Sequence, residues 1–118
     1  MSESKSESKE LHILWTNDNL ATSEHMVMMY ATNSMLNGWW DSVTVIIWGA
    51  TAKLAVENEA IQERMRIAEH AGVKFSACIS CARNLGVIDE LEALGVEVIR
   101  WGAKMSDILQ SDGKLITI

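Results

Sequence analysis

The sequence predicts an α/β fold, a parallel sheet with helices on both of its faces. Short runs rich in Val, Ile and Leu alternate with longer segments of helical periodicity, in the order βαβαβαβαβ. Alternation at this spacing leaves room for a crossover helix between successive strands, which parallel pairing requires. Glycine or asparagine punctuates most of the helical segments, and proline is absent.

Leu11-His12-Ile13-Leu14-Trp15-Thr16 reads as the first strand and Asn17-Asp18-Asn19 as the turn after it. A helix then runs from Ala21 to Leu36, with Thr22 or Ser23 as its cap, and Asn37-Gly38 ends it. Ser42 to Trp48 is β-branched and apolar nearly throughout, as in a strand buried on both faces. Gly49-Ala50 turns the chain into helical sequence from Thr51 to Ala71, with a break near Glu57-Asn58. Ile61, Met65 and Ala68 recur there at helical spacing, and Gly72 stops the run. Val73 to Ala77 is the third strand, followed by Cys78, Cys81 and a short helix. Asp89 to Leu94 forms a further short helix closed by Gly95, and Val96 to Arg100 the fourth strand. Ser106 to Gln110 is the last helix, Asp112-Gly113 a turn, and Leu115 to Ile118 the final strand.

At 118 residues the chain suffices for one domain with its own core. We place that domain at residues 11–118. Residues 1–10 hold no apolar residue after Met1, so they read as a disordered tail with no signal-peptide core. A net charge of −6, with no basic cluster to offset it, argues against nucleic-acid or anionic-membrane partners. No apolar run is long enough to span a membrane. Two cysteines make no disulfide framework, which fits a reducing, cytoplasmic setting.

Those two cysteines carry the chemistry of the chain. A thiol between the carboxyl end of a strand and the start of a helix sits at the functional edge of an open α/β sheet, where the helix dipole favours thiolate. Zinc would need about four ligands, and Cys78-x-x-Cys81 supplies half a site. His12, His25 and His70 have no ligand spacing to it, leaving only a zinc shared between subunits. Thioredoxin-type folds set a cis-proline opposite their cysteines, and this chain has none. Inert burial suits Cys81 in particular, beside Ala82. Nucleophilic or sulfur-carrying chemistry suits Cys78. No Gly-x-Gly-x-x-Gly or Walker-type loop occurs, so no nucleotide cofactor is expected.

Trp-Gly-Ala closes the second strand at Trp48-Gly49-Ala50 and the fourth at Trp101-Gly102-Ala103, putting both tryptophans on the edge that holds Cys78. Plain aromatic capping of that edge is the simpler reading. Lys53, Arg83 and Asn17 could border the site, although each also reads as a solvated residue. Met26-Val27-Met28-Met29-Tyr30-Ala31 exceeds the single apolar stripe that a surface helix needs. With Trp39-Trp40 just beyond it, this surplus predicts a homo-oligomer.

A thiol closing the third strand and followed eight residues later by Gly86-Val87 resembles the DsrE/DsrF-like family, which takes in the DsrEFH, TusBCD and YchN-like groups. Asn17-Asp18 and Gly49-Ala50 are similar to the family's other loops, and the resemblance spans residues 11–118. It implies a three-layer α/β/α sandwich with a five-stranded, mostly parallel sheet and trimeric or hexameric assembly. It also implies that Cys78 carries a persulfide between a protein sulfur donor and an acceptor. The site would then hold Cys78 and Cys81, lined by Asn17, Trp48, Gly49, Ile79, Ser80 and Trp101, with no metal. Backbone N–H groups of Ile79 and Ser80 would stabilise the sulfur anion. Cys81 departs from the relay pattern, so a thiol/disulfide switch or a non-catalytic YchN-like oligomer are the alternatives.

Overall fold

The computed structural model describes residues 9–118. The expected tail lies outside the described residues as far as position 8, and Glu10 already opens the first strand. Five strands, β1 (Glu10–Trp15), β2 (Ser42–Ile47), β3 (Lys74–Cys78), β4 (Glu97–Ile99) and β5 (Lys114–Thr117), form one sheet in the order β4-β3-β2-β1-β5. Every pairing is parallel, so the expected mostly parallel sheet is wholly parallel here.

The first helix, α1, covers residues 20–36 and contains a π-helical stretch at Ser23–Met28. After β2 come α2 (Ala50–Glu57) and α3 (Glu59–His70); after β3, α4 (Ile79–Leu85) and α5 (Ile88–Ala93). The last helix, α6 (Gly102–Gln110), joins β4 to β5.

Strand order decides which face each helix takes. From β1 to β4 every step moves one place toward the same edge. Right-handed crossovers then keep the intervening helices on one face. The return from β4 to β5 runs the other way and sends α6 to the opposite face. Packing agrees with this. Leu11, Ile13, Trp15, Val43, Val45 and Ile47 meet apolar residues of α1 to α5 in the main core. Alternate strand positions, Leu14, Ile46 and Cys78, join Met105 and Ile108 of α6 in a smaller cluster. Five helices, a sheet and a single helix make the three layers.

Local chemistry sets the helix ends. Asn58 breaks the long helical segment where the sequence expects: its extended backbone ends α2, and its Oδ1 accepts the Ile61 N–H at 2.9 Å to cap α3. At α1 the cap is Asn19, whose Oδ1 accepts the Thr22 N–H at 2.9 Å, and not Thr22 or Ser23. Ser23 is inside the helix and buried, accepting the Trp15 indole N–H at 3.0 Å and donating to the Asn17 carbonyl at 3.0 Å. The wider π turn brings Ser23, Val27 and Met28 all inward. Met26, Met29, Leu36 and Trp39 stay exposed.

Helix α6 also starts earlier than the expected Ser106, at Gly102. Met105 and Ile108 pack on the sheet, and that burial outweighs the poor helix propensity of Gly102. Ser106 instead donates back to the Gly102 carbonyl at 2.9 Å.

Candidate functional site

Adjacent strands whose following helices lie on opposite faces leave a crevice at their carboxyl ends. In this sheet those strands are β3 and β4, followed by α4 on one face and α6 on the other. Cys78 is the last residue of β3, paired with Ile99, and also the N-cap of α4, with φ −72° and ψ 121°. Its side chain faces α6 and packs with Ile46 and Trp101, leaving only 6% exposed. The Trp101 indole N–H donates to Ser76 Oγ at 2.8 Å, and the Ser76 hydroxyl donates to the Glu97 carbonyl at 2.9 Å. This chain of bonds fixes the aromatic wall beside the thiol. The His12 ring meets Trp101 edge-on at 6.2 Å, and Lys104 Nζ lies 5.6 Å from the indole centroid.

Cys81 stands one turn into α4, half-buried, and both thiols are free. It lines a cleft of about 630 Å³. Helix α2 contributes Ala50, Lys53, Leu54 and Glu57 to one wall, while α4 contributes Cys81, Asn84 and Leu85 to the other. Asp18 and Gly49, from the loops after β1 and β2, complete it. Burial pushes the Cys81 thiol above its ordinary value. The Gly49 backbone N–H opposes that rise by donating to the sulfur, and the adjoining Cys78 sulfur adds to it.

Gly49 holds this donor at φ +74° and ψ −132°, a conformation that side-chain-bearing residues avoid. Thr51 secures the same turn. Its buried hydroxyl donates to the Trp15 carbonyl at 2.7 Å and accepts the Trp48 N–H at 3.2 Å, tying the ends of β1 and β2 to the start of α2.

The structure thus brings several expected residues together and separates others. Trp48 and Trp101 join both thiols in the smaller apolar cluster. Gly49 lines the cleft, and so does Lys53. Ile79 and Ser80 open α4, the first half-buried and the second exposed. Asn17 organises the β1–α1 turn: its Oδ1 accepts the Asn19 N–H at 2.9 Å and its carbonyl accepts the Trp15 indole N–H at 3.1 Å. It is Asp18, next in sequence, that lines the cleft. Arg83 is exposed at the α4–α5 corner, beside Gly86 and Asp89.

Leu54, Glu57, Asn84 and Leu85 escaped the sequence reading as site residues, and Asp18 and Ala50 entered it only as loop residues. A signal existed, because positions 50, 53, 54 and 57 form one helical stripe and 81, 84 and 85 another. Only the packing of α2 beside α4 turns the two stripes into a cleft. Among the described residues, no group of His, Cys, Asp or Glu is arranged to hold a metal ion, and no helix is long and apolar enough to cross a membrane.

The sequence profile of the DsrE/DsrF-like family matches residues 13–118. Among solved structures, a conserved protein of unknown function from Bacteroides thetaiotaomicron is 34% identical, with 93% of this chain and 95% of that chain covered and a TM-score of 0.90. The YchN protein of E. coli is similar in fold, at 15% identity and a TM-score of 0.71 over 95% of this chain and all of that one. No curated protein sequence matches the chain.

Proposed function

The chain belongs to the DsrE/DsrF-like family, and from that premise and its thiol pair we propose that it is a cytoplasmic sulfur carrier, holding persulfide sulfur on Cys78. One observation supports this reading most. Two free thiols adjoin at the carboxyl end of β3, beside the crevice that the strand order creates. The transfer is a displacement without net oxidation. Cys78 thiolate attacks the outer sulfur of a donor persulfide R–S–SH, the donor S–S bond breaks, and R–S⁻ leaves and takes up a proton. An acceptor thiolate later attacks the outer sulfur of Cys78–S–SH, and Cys78 leaves as thiolate. The apolar wall of Ile46 and Trp101 shields the stored sulfur from water.

Contact between the thiols also favours a second outcome. Cys81 thiolate attacking the inner sulfur of the Cys78 persulfide would release hydrosulfide and form a Cys78–Cys81 disulfide, making the pair a redox switch. Mass spectrometry after exposure to a persulfide donor separates the two. A carrier gains one sulfur atom on Cys78 and passes it to added thiol. A switch loses two hydrogens and gains no sulfur. Wild-type protein that gains no sulfur, together with a Cys81→Ser variant that gains none, would refute the carrier.

The exposed Met26, Met29, Leu36 and Trp39 suit contact with further copies of the chain in a homotrimer or homohexamer. Light scattering at micromolar concentration tests this, and a monomeric mass would refute it.

A further inference from the structure

We propose that the cleft between α2 and α4 binds a low-molecular-weight aminothiol persulfide, an alkyl persulfide with an ammonium group near its sulfur, and that Cys81 is the thiol that first takes its outer sulfur. The inference rests on the carrier reading above and names the donor class that reading leaves open.

Position supports it first. Cys78 is nearly buried against α6, whereas Cys81 lines the cleft and adjoins Cys78. Sulfur arriving through the cleft therefore meets Cys81 before it meets Cys78. Size supports it next. A volume of about 630 Å³ lies within the usual range of small-molecule sites, roughly 300–1,000 Å³.

Charge then selects the class. Asp18 and Glu57 put two carboxylates on the lining against one ammonium, Lys53. None of the three forms an ion pair with another described residue, although Lys53 and Glu57 are one turn apart on α2. The surplus negative charge suits an ammonium group on the ligand, and Lys53 offers a counter-charge to a carboxylate if one is present. Leu54 and Leu85 supply apolar contact for the short alkyl link. A cysteine persulfide inside a protein donor has no ammonium beside its sulfur, so this lining favours the free small molecule.

The steps balance as two displacements. Cys81 thiolate attacks the outer sulfur of R–S–SH, the donor S–S bond breaks, and R–S⁻ leaves with the bonding pair and is protonated. Cys78 thiolate then attacks the outer sulfur of Cys81–S–SH, and Cys81 leaves as thiolate. One sulfur atom has moved from the cleft to the apolar cluster, with nothing oxidised overall.

The test compares cysteine persulfide, made from cystine and sulfide, with N-acetylcysteine persulfide on the full chain, with inorganic polysulfide run in parallel. Sulfur is located by mass spectrometry of quenched peptides. We expect wild type to accumulate sulfur on Cys78, Cys78→Ser to retain it on Cys81, and Cys81→Ser to lose most of its initial rate at Cys78. Wild type should prefer cysteine persulfide by about two- to fivefold, the scale of an exposed ion pair. That preference should vanish in an Asp18→Asn, Glu57→Gln double variant.

Labelling of Cys78 at wild-type rate in Cys81→Ser, or equal rates with the two organic persulfides, overturns the inference and leaves the carrier reading standing. So does labelling by polysulfide alone. Sulfur on neither thiol from any of the three overturns both.

Discussion

Replacing Thr51 by valine would show how far the fold sets the chemistry at Cys81. Valine keeps the volume of this fully buried side chain and removes its hydroxyl. The hydroxyl donates to the Trp15 carbonyl at 2.7 Å and accepts the Trp48 N–H at 3.2 Å. Leaving a buried polar group without its partner costs about 1–3 kcal/mol. Trp48 N–H keeps a 3.3 Å bond to the Trp15 carbonyl, so the loss should fall near the middle of that range, at about 2 kcal/mol. With an unfolding entropy of about 0.25 kcal/mol/K for a chain of this length, Tm should drop by about 8 °C. The turn also carries the Gly49 N–H that stabilises Cys81 thiolate, so alkylation of Cys81 by iodoacetamide should slow. Thr51→Ser keeps the hydroxyl and loses one methyl group, at about 1 kcal/mol, and should keep the wild-type alkylation rate. Circular-dichroism melts and peptide-resolved alkylation provide the two readouts. A valine variant melting within about 1 °C of wild type, or a serine variant that falls further than valine, would refute the role assigned to the hydroxyl.

Three further outcomes are expected. Gly49→Ala forces a side chain into a left-handed conformation, so it should cost about 1–3 kcal/mol in chemical denaturation and slow alkylation of Cys81; unchanged values would count against the turn as the thiolate's support. Burial raises the Cys81 thiol, so its alkylation in the native protein should still accelerate with pH beyond the ordinary thiol range, and Cys78, only 6% exposed, should be alkylated more slowly than Cys81; a plateau near neutrality would contradict this. Burial lowers His12, with Lys104 acting the same way and Glu10 opposing, so below its ordinary value of about 6.5 the unfolded chain binds a proton that the folded chain excludes. Stability should therefore fall as pH drops through that value toward the lower folded one, and a His12→Phe variant should lose less Tm over the same interval; parallel curves would show that other groups govern the loss.

Local sequence by itself determined which elements form and in what order. Short apolar runs became β1 to β4, with β2 the most β-branched, Asn58 broke the helix where asparagine capping predicts, and Cys78 fell at the junction of β3 and α4. These outcomes depend on side-chain spacing and on bonds between near neighbours. A competing hydrogen bond explains the different cap of α1, and burial of Met105 and Ile108 the early start of α6. Ser23 was a sound cap by type, but the Trp15 indole claimed its hydroxyl, and Asn19 took the capping role. Tertiary structure alone decided the faces. Five helices share one side because the strand order advances in one direction, and only the return to β5 sends α6 across the sheet. That division turns Cys78 toward Trp101 and sets α4 against α2, opening the cleft at Cys81. A spacing of three residues places two thiols one helical turn apart. It cannot say which of them meets solvent, because exposure depends on partners distant in sequence.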